Sequence, residues 1–531
     1  MEEQSNYDFL KDKCLVRLNS LNLYNDTYIN RLNEELLVIK ECEVENFILN
    51  TAYATLLLKS NDIFLGPSRG SSAGSLVCYL IGITDIDPIQ YNLSFARFLN
   101  KTRMKTQMPD IDEDVNKKDR PKALKILKNA FGEDKTCQII NDVYFSPKTI
   151  IKDLGRIFGV SHQETNRITA LLGDNEVDEI PEVQLFLEKN PQIRDNLSKL
   201  EGLIRNSSIH AGGIIVSDAP LTDYISTLNS TDSVVSCYNG KVCESIGFLK
   251  MDMLGLQTLD IIKDCLTFIG KKKFDFDYDL NDANVYKTIN KSTLGIFQLE
   301  SRESSSYVKD MKPNSFEDII ACLALVRPGS KNSGDADKFL RIRFGEEELK
   351  YDHPLLEPIL KDTNSTILFQ EQCMQISRVI SGFTDIEADL LRRGISKKLT
   401  YVFDEYKPKF IEGAKKNNVD ESIANLIWDK IEKSSSYSFN KSHAVGYSMI
   451  TYQTAYLKTY YPMEYYTAML NNVESEEKRN RIYNEIKSLN KNLINPDINN
   501  SGQICMYTDD NIYLSFPLIN GVGPAALEAI L

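Results

Sequence analysis

The chain has 531 residues, 42% hydrophobic and 26% charged, with a formal net charge of −13 at pH 7. That is an ordinary globular composition, long enough for several domains, and its acidity argues against a nonspecific polycationic nucleic-acid binder, although local basic patches weigh more than the total. No apolar run approaches the ~18 residues that cross a bilayer, ten cysteines without a Cys-x-x-Cys pair read as free thiols of a reducing cytoplasm, and His162, His210, His353 and His443 are too scattered for a zinc site.

Residues 1–60 are expected to be mostly helical, because Ile29, Leu32, Leu36 and Ile39 recur at helical spacing among charged residues. Ile63-Phe64-Leu65 reads as a short buried strand and Leu76–Ile81 as a buried helix. Between them lies Gly66-Pro67-Ser68-Arg69-Gly70-Ser71-Ser72-Ala73-Gly74-Ser75. A glycine- and serine-rich loop before a helix is a candidate phosphate cradle, since the first N–H groups of a helix attract anions. It is not a Walker A loop, because no Gly-Lys-Ser/Thr follows, and a tight packing corner is the plain alternative.

The segment Met108-Pro109-Asp110-Ile111-Asp112-Glu113-Asp114 carries the strongest chemical signal. On a strand, Asp110, Asp112 and Asp114 project to one face while Ile111 faces the core. Clustered carboxylates repel unless a cation lies among them, so the pattern suits Mg²⁺. A surface turn or a helix cap is the bland reading of an isolated Asp-x-Asp. Residues 117–205 look helical, and 210–255 turn strand-like in Gly212–Ser217 and Ile246–Met253. Asp252, two residues after Lys250, lies on an apolar run much like that around Asp110. If the two runs are neighbouring strands, Asp252 completes a triad with Asp110 and Asp112, and Lys250 points toward the phosphates. Three carboxylates around two Mg²⁺ ions suit in-line displacement at phosphorus.

From 256 to about 480 the pattern is helical again. Tyr447, Tyr452, Tyr456, Tyr460 and Tyr461 recur after His443; stacking on bases is one use of such rings, and a buried stripe, which we favour, is the other. Ile519–Ala526 contains Gly521 and Gly523 in a Gly-x-Gly turn, a pattern that offers N–H groups to a duplex phosphate or simply starts a helix at Pro524.

These stretches, in this order, resemble the alpha subunit of bacterial DNA polymerase III, the C-family polymerases. The likeness is carried by the 66–77 loop, Ile83–Pro88, Arg97–Asn100, Pro109–Asp112, His210–Gly213, Lys250–Leu256, Phe297–Ser301, Arg327–Gly329, Gln370–Gln372, Leu391–Arg393 and Phe439–His443. Ser68 and Ser72 stand where the family usually has glycine.

The resemblance implies an α+β, predominantly helical fold: a mixed-sheet palm of the nucleotidyltransferase type with a helical thumb and large helical fingers. The expected divisions are 1–141 for the N-terminal helices and first palm part, 142–204 for the thumb, 205–255 for the second palm part, 256–515 for the fingers and 516–531 for the start of a helix-hairpin-helix. It implies Asp110, Asp112 and Asp252 as catalytic metal ligands for two Mg²⁺ ions, with Mn²⁺ as an alternative. Gly70, Ser71, Arg97, Arg103 and Lys250 are expected on the palm side of the nucleotide. Arg327, Arg392, Arg393, Lys397, Asn440, Lys441 and His443 are expected on the fingers, and Gly521 and Gly523 against duplex DNA.

The expected activity is template-directed DNA synthesis from dNTPs on a primer–template, in the bacterial or phage-infected cytoplasm. The expectation extends to a chain of palm, thumb and fingers only: a fragment, a divergent phage-type enzyme or half of a split polymerase. A second polypeptide would then carry the clamp-binding and oligonucleotide-binding modules, and a sliding clamp and helicase-associated replisome proteins would be further partners. A primer–template-binding scaffold and a template-independent nucleotidyltransferase are the competing readings.

Overall fold

The computed structural model describes residues 5–100, 109, 111–172, 177–230, 233–327, 334–396, 400–435 and 438–531. They form a predominantly helical α+β structure in two compact units, one of residues 1–127 with 251–531 and one of residues 128–250.

The first unit opens with α1 (Asn6–Ser20), α2 (Asp26–Glu41) and α3 (Glu45–Ser60). Asn25 caps α2 by accepting from the N–H groups of Thr27 and Tyr28, and Leu32, Glu35, Leu36 and Ile39 form its buried stripe. The run Ile63–Leu65 does not form the expected strand. It makes a single bridge, Leu65 to Val115, and Gly66 N–H donates to Asp114 C=O at 2.8 Å. Pro67 follows at once, and without an N–H it cannot extend a ladder. The loop then turns through Ser72–Gly74 into α4 (Leu76–Leu80), and α5 (Phe95–Phe98) follows. Strand β1 is Asp112–Asn116.

The second unit holds β2 (Thr136–Tyr144), β3 (Ile204–Val216), β4 (Thr227–Asn229) and β5 (Val234–Asn239) in the order β3-β2-β5-β4. The sheet is mixed, with β2 antiparallel to β3 and parallel to β5. Helices between residues 147 and 200 build a separate small core around Ile151, Ile168, Val183 and Phe186. Two features here differ from the sequence reading. Strand β2 lies inside the stretch expected to be helical, its apolar alternation being broken by Gln138, Asn141 and Asp142. Strand β3 begins at Ile204, well before Gly212, because its exposed polar half Arg205–Ser208 is held by the ladder to β2 and not by burial.

Strand β6 (Leu249–Leu256) leads into α6 (Gln257–Phe268) and the remaining helices of the first unit. Those used below are α7 (Gln370–Ser381), α8 (Asp385–Ser396) and α9 (Lys441–Tyr460). Helix α9 runs through the largest core. Tyr452 is fully buried, Tyr447 nearly so, and Tyr456 and Tyr461 pack partly against that core, as a buried stripe requires. Tyr460 departs from it, being exposed and bonded to Asp282. At the end of the chain, Gly521 (φ +92°) turns the backbone after Phe516–Leu518, and Pro524 occupies the first turn of α10 (Pro524–Ile530).

Among the described residues no helix is long and apolar enough to cross a membrane. All ten cysteines are free thiols.

Candidate active site

Strands β1 and β6 run parallel, and their register sets Asp112 opposite Asp252. Register neighbours on adjacent strands lie about 5 Å apart at Cα, so two acidic side chains meet where the sequence separates them widely. Alternation along β1 sorts its three described acids. Asp112 is half-exposed; Glu113 turns inward, where Thr55 donates to it at 2.8 Å and burial pushes its carboxyl up to about 8. Asp114 returns to the face of Asp112 but is buried. Asp110 lies outside the described residues.

Arg69, on the glycine-serine loop, organises this face. Its Nη1 donates to Asp114 Oδ1 at 2.8 Å and to the Tyr447 hydroxyl at 2.7 Å, and its Nε stands 3.8 Å from Asp112 Oδ2. Burial raises the Asp114 carboxyl above its ordinary range, opposed by the Arg69 charge and by hydrogen bonds from Arg69 and Tyr447. Asp114 is thereby engaged inside the protein, and Asp112 is the described acid of β1 that faces Asp252. Gly70 has φ +70°, a conformation that suits glycine. A Cβ there would stand 3.5 Å from Asp112 Oδ2, so the turn lies directly against that carboxylate. Ser71 is buried in the same turn.

The N-terminus of α9 closes the loop from the other side. Gly70 N–H donates to His443 Nδ1 at 3.1 Å, and the ring packs against Tyr447 (4.0 Å between centroids) and Phe439 (5.3 Å). Burial, with the nearby charges of Arg69 and Arg327, lowers His443 to about 4. The imidazole is therefore neutral at pH 7, as an acceptor at Nδ1 requires. Asn440 caps α9 by accepting from His443 N–H at 3.0 Å, and the Lys441 N–H donates to Glu371 at 2.9 Å. Burial lowers the Lys441 ammonium, opposed by Glu371. Arg327 lies 4.5 Å over the Phe439 ring. At Gly446 a Cβ would sit 2.8 Å from the Ser68 carbonyl oxygen, so helix and loop touch backbone to backbone.

A second cluster gathers Arg97, Arg392 and Arg393. Asp389 accepts from Arg392 Nη2 and from Arg393 Nε, each at 2.8 Å. Gln370 Oε1 accepts from Arg97 Nε at 3.2 Å and from Arg392 Nη1 at 3.4 Å. Burial works against ionising Asp389, yet Arg392, Arg393 and Arg97 together hold its carboxyl below the usual range. Gln370 N–H in turn donates to Phe439 C=O at 2.8 Å, which ties this cluster to the entry of α9.

The helix terminus behind the loop departs from expectation. The start of α4 does bind an anion, but the anion is the protein's own Glu35. Its carboxylate accepts from Ser75 Oγ (2.8 Å), Leu76 N–H (2.9 Å) and Val77 N–H (3.0 Å) and pairs with Arg31 Nε at 2.6 Å. Glu35 is fully buried. A phosphate has no access to those N–H groups, and the loop's open side is the turn at Arg69–Gly70.

Lys250 pairs with Glu244 at 3.3 Å within the second unit. Gly521 and Gly523 lie exposed near the chain end, with Gly523 as the N-cap of α10. Arg103 and Lys397 lie outside the described residues. Arg69, Tyr447, Asp389 and Gln370 were not among the site residues expected from sequence, where Tyr447 was read in a tyrosine stripe and Gln370 only in a motif; for Arg69 the signal was present, a cation inside the phosphate-loop candidate upstream of three alternating acids. The donor set fits a hard cation: Asp112 and Asp252 offer carboxylate oxygens from adjacent strands, the ligands that magnesium takes, under a turn that leaves only a glycine's bulk above Asp112.

Two family models match the chain in succession. The bacterial DNA polymerase III alpha NTPase domain matches residues 8–255, and the bacterial DNA polymerase III alpha subunit finger domain matches residues 258–418. The chain is 36% identical over 544 residues to the DNA polymerase III subunit alpha of Staphylococcus epidermidis and 37% identical over 545 residues to that of Staphylococcus aureus. These alignments cover 99% and 100% of this chain and 51% of each relative. The corresponding protein of Aquifex aeolicus is 35% identical, over 95% of this chain and 47% of its own length. The chain belongs to the bacterial DNA polymerase III alpha family. It spans about half the length of the curated relatives it matches.

Proposed function

We propose that this chain is the core of a template-directed DNA polymerase, which adds deoxynucleotides to a primer 3′-hydroxyl and releases pyrophosphate. The observation that supports the reading is the register of β1 and β6, which sets Asp112 beside Asp252 under the Arg69–Gly70 turn. Asp110, Asp112 and Asp252 would hold two magnesium ions, and Mn²⁺ suits the same donors. When bound, such ions supply positive charge to the attacking and leaving oxygens of a phosphoryl transfer.

The chain's own groups orient the reactants. Arg69 keeps Asp114 engaged and sets its guanidinium beside Asp112. Neutral His443 fixes the Gly70 N–H, and with it the turn. Arg97, Arg392 and Arg393, fanned around Asp389 and Gln370, are the guanidiniums we assign to the triphosphate, where a planar fork grips phosphate oxygens. Lys250, Arg103, Arg327, Lys397, Asn440 and Lys441 are assigned to the same substrate on the family resemblance, and Gly521 and Gly523 to duplex DNA. Primer–template DNA and dNTPs are the proposed substrates; a clamp, helicase-associated proteins and a chain carrying further modules are the proposed partners.

Primer extension by the purified chain with Mg²⁺ and four dNTPs tests the reading, beside Asp112→Asn. Templated extension that the substitution abolishes is the expected result. Primer–template binding without extension would instead support a scaffold, and tailing that ignores the template would support a template-independent transferase.

A further inference from the structure

Beside the entry to the loop lies a cavity of about 960 Å³ within the first unit, and Asp112 is not among the residues that line it. That volume is at the upper end of the range typical of small-molecule sites. Three stretches bound it: residues 59–67 with Asp85, the segment from Lys263 on α6 to Tyr278, and Met449 and Gln453 on α9. The family reading leaves this cavity unused.

Its rim is locally basic. Five lysines and three aspartates line it, a local excess of two positive charges in a chain of net −13. Lys271, Lys272 and Lys273 are consecutive, following Gly270, whose φ of +74° turns the backbone after α6. Lys263 and Lys271 are anchored by Asp119 and Asp275. Lys272 meets Asp62 only at 3.5 Å with its side chain 86% exposed, and Lys273 acts on the Asp275 carboxylate by charge without a close ion pair among the described residues. Two ammonium groups are thus available at one edge of the recess.

The wall beside them is aromatic and preformed. Phe274 contacts Phe276, Tyr278 and Tyr456 edge-on, with centroids 4.9, 5.4 and 5.6 Å away, and the Tyr278 hydroxyl donates to Met449 Sδ at 3.4 Å. A flat ring can lie on such a surface. Gln453 offers an amide able both to donate and to accept. Lysines placed next to an aromatic wall recognise a compact organic anion with a planar body.

We propose that this cavity is a binding site for a nucleoside diphosphate, separate from the Asp112–Asp252 site, with its base against Phe274 and Tyr278 and its phosphates at Lys272 and Lys273. The bound ligand would bear on the loop, because Phe64, Leu65 and Pro67 line the cavity and lead directly into Arg69 and Gly70. The Pro67 carbonyl is itself held by Asp85 N–H at 2.7 Å.

Fluorescence anisotropy of N-methylanthraniloyl-ADP, titrated with the full chain in EDTA, tests the proposal. Saturable one-to-one binding is expected, weakened at least tenfold by Lys272→Glu with Lys273→Glu and unchanged by Asp112→Asn. Photolabelling by 8-azido-ADP is expected within residues 263–278. Absence of saturable binding, an unchanged Kd in the double variant, or loss of binding in Asp112→Asn would overturn it. Displacement of the probe by an abasic oligonucleotide would also overturn it, by assigning the recess to a strand's backbone.

Discussion

Arg69 bears on Asp114 by contact and on Asp112 by proximity. Breaking a buried pair by removing one partner typically costs about 3–5 kcal/mol; Arg69 is partly exposed, so the lower end applies. Arg69→Ala is therefore expected to lower the unfolding free energy by roughly 3 kcal/mol, read from denaturant midpoints, and Asp114→Asn in the same chain is expected to recover part of it. His443 supplies a pH test. Its value of about 4 in the folded chain lies below the ordinary 6.5. The unfolded chain consequently binds more protons between those values, so this residue's linkage makes stability fall as pH drops from about 6.5 to 4. A shift of that size is worth up to roughly 3 kcal/mol. His443→Gln, which keeps an acceptor and cannot be protonated, is expected to flatten that limb of the stability–pH curve; an unchanged slope would contradict the assigned burial.

At the scale of elements, the loop is held from behind by a carboxylate and from the front by a helix entry. Glu35 satisfies three donors at the start of α4, while its partner Arg31 donates to the carbonyls of Gly74 and Leu93 at 2.7 and 3.1 Å. Glu35→Ala leaves those donors and Arg31 unmatched, and a stability loss of about 3–5 kcal/mol is expected by calorimetry. A loss below 1 kcal/mol would mean that water or another acid takes the place of Glu35. The sequence signal for the loop, the helix and the acids was local, and those features were legible: α2 by its stripe, the loop by its glycines and serines before a helix, β1 and β6 by apolar runs bearing aspartates. Glu35 was not, because a buried acid on a helical stripe looks like a surface acid until a second helix terminus arrives. The Asp389–Arg392–Arg393 fan was half-legible, since i+3 and i+4 spacing permits it, but Gln370 and Arg97 come from far along the chain. β2 was missed because its polar residues hide a strand that ladder bonds sustain.

At the scale of the molecule, residues 128–250 form a unit with cores of their own around Ile151 and around Cys137, Ile139 and Phe248. Composition shifts did not mark its limits, because the boundary at 127 falls inside one charged helix, Arg120–Phe131. Units with separate cores open separately. Ile151→Ala, a large-to-small change at a fully buried site, is expected to cost about 2–5 kcal/mol. Hydrogen exchange should show that loss within 128–250 and leave the protection of α9 unchanged. Loss of protection in both would mean that the chain unfolds as one unit.

Asp112 and Asp252 are proposed to act as one metal-dependent site for nucleotidyl transfer. Single-turnover incorporation of one templated dNTP, at saturating primer–template and with Mg²⁺, measures it for the wild type and Asp252→Asn at matched DNA occupancy. A rate loss of about 10³-fold or more is expected, the scale on which charge-stabilising groups act in enzyme transition states, with DNA binding unchanged. Incorporation by Asp252→Asn at the wild-type rate would contradict it.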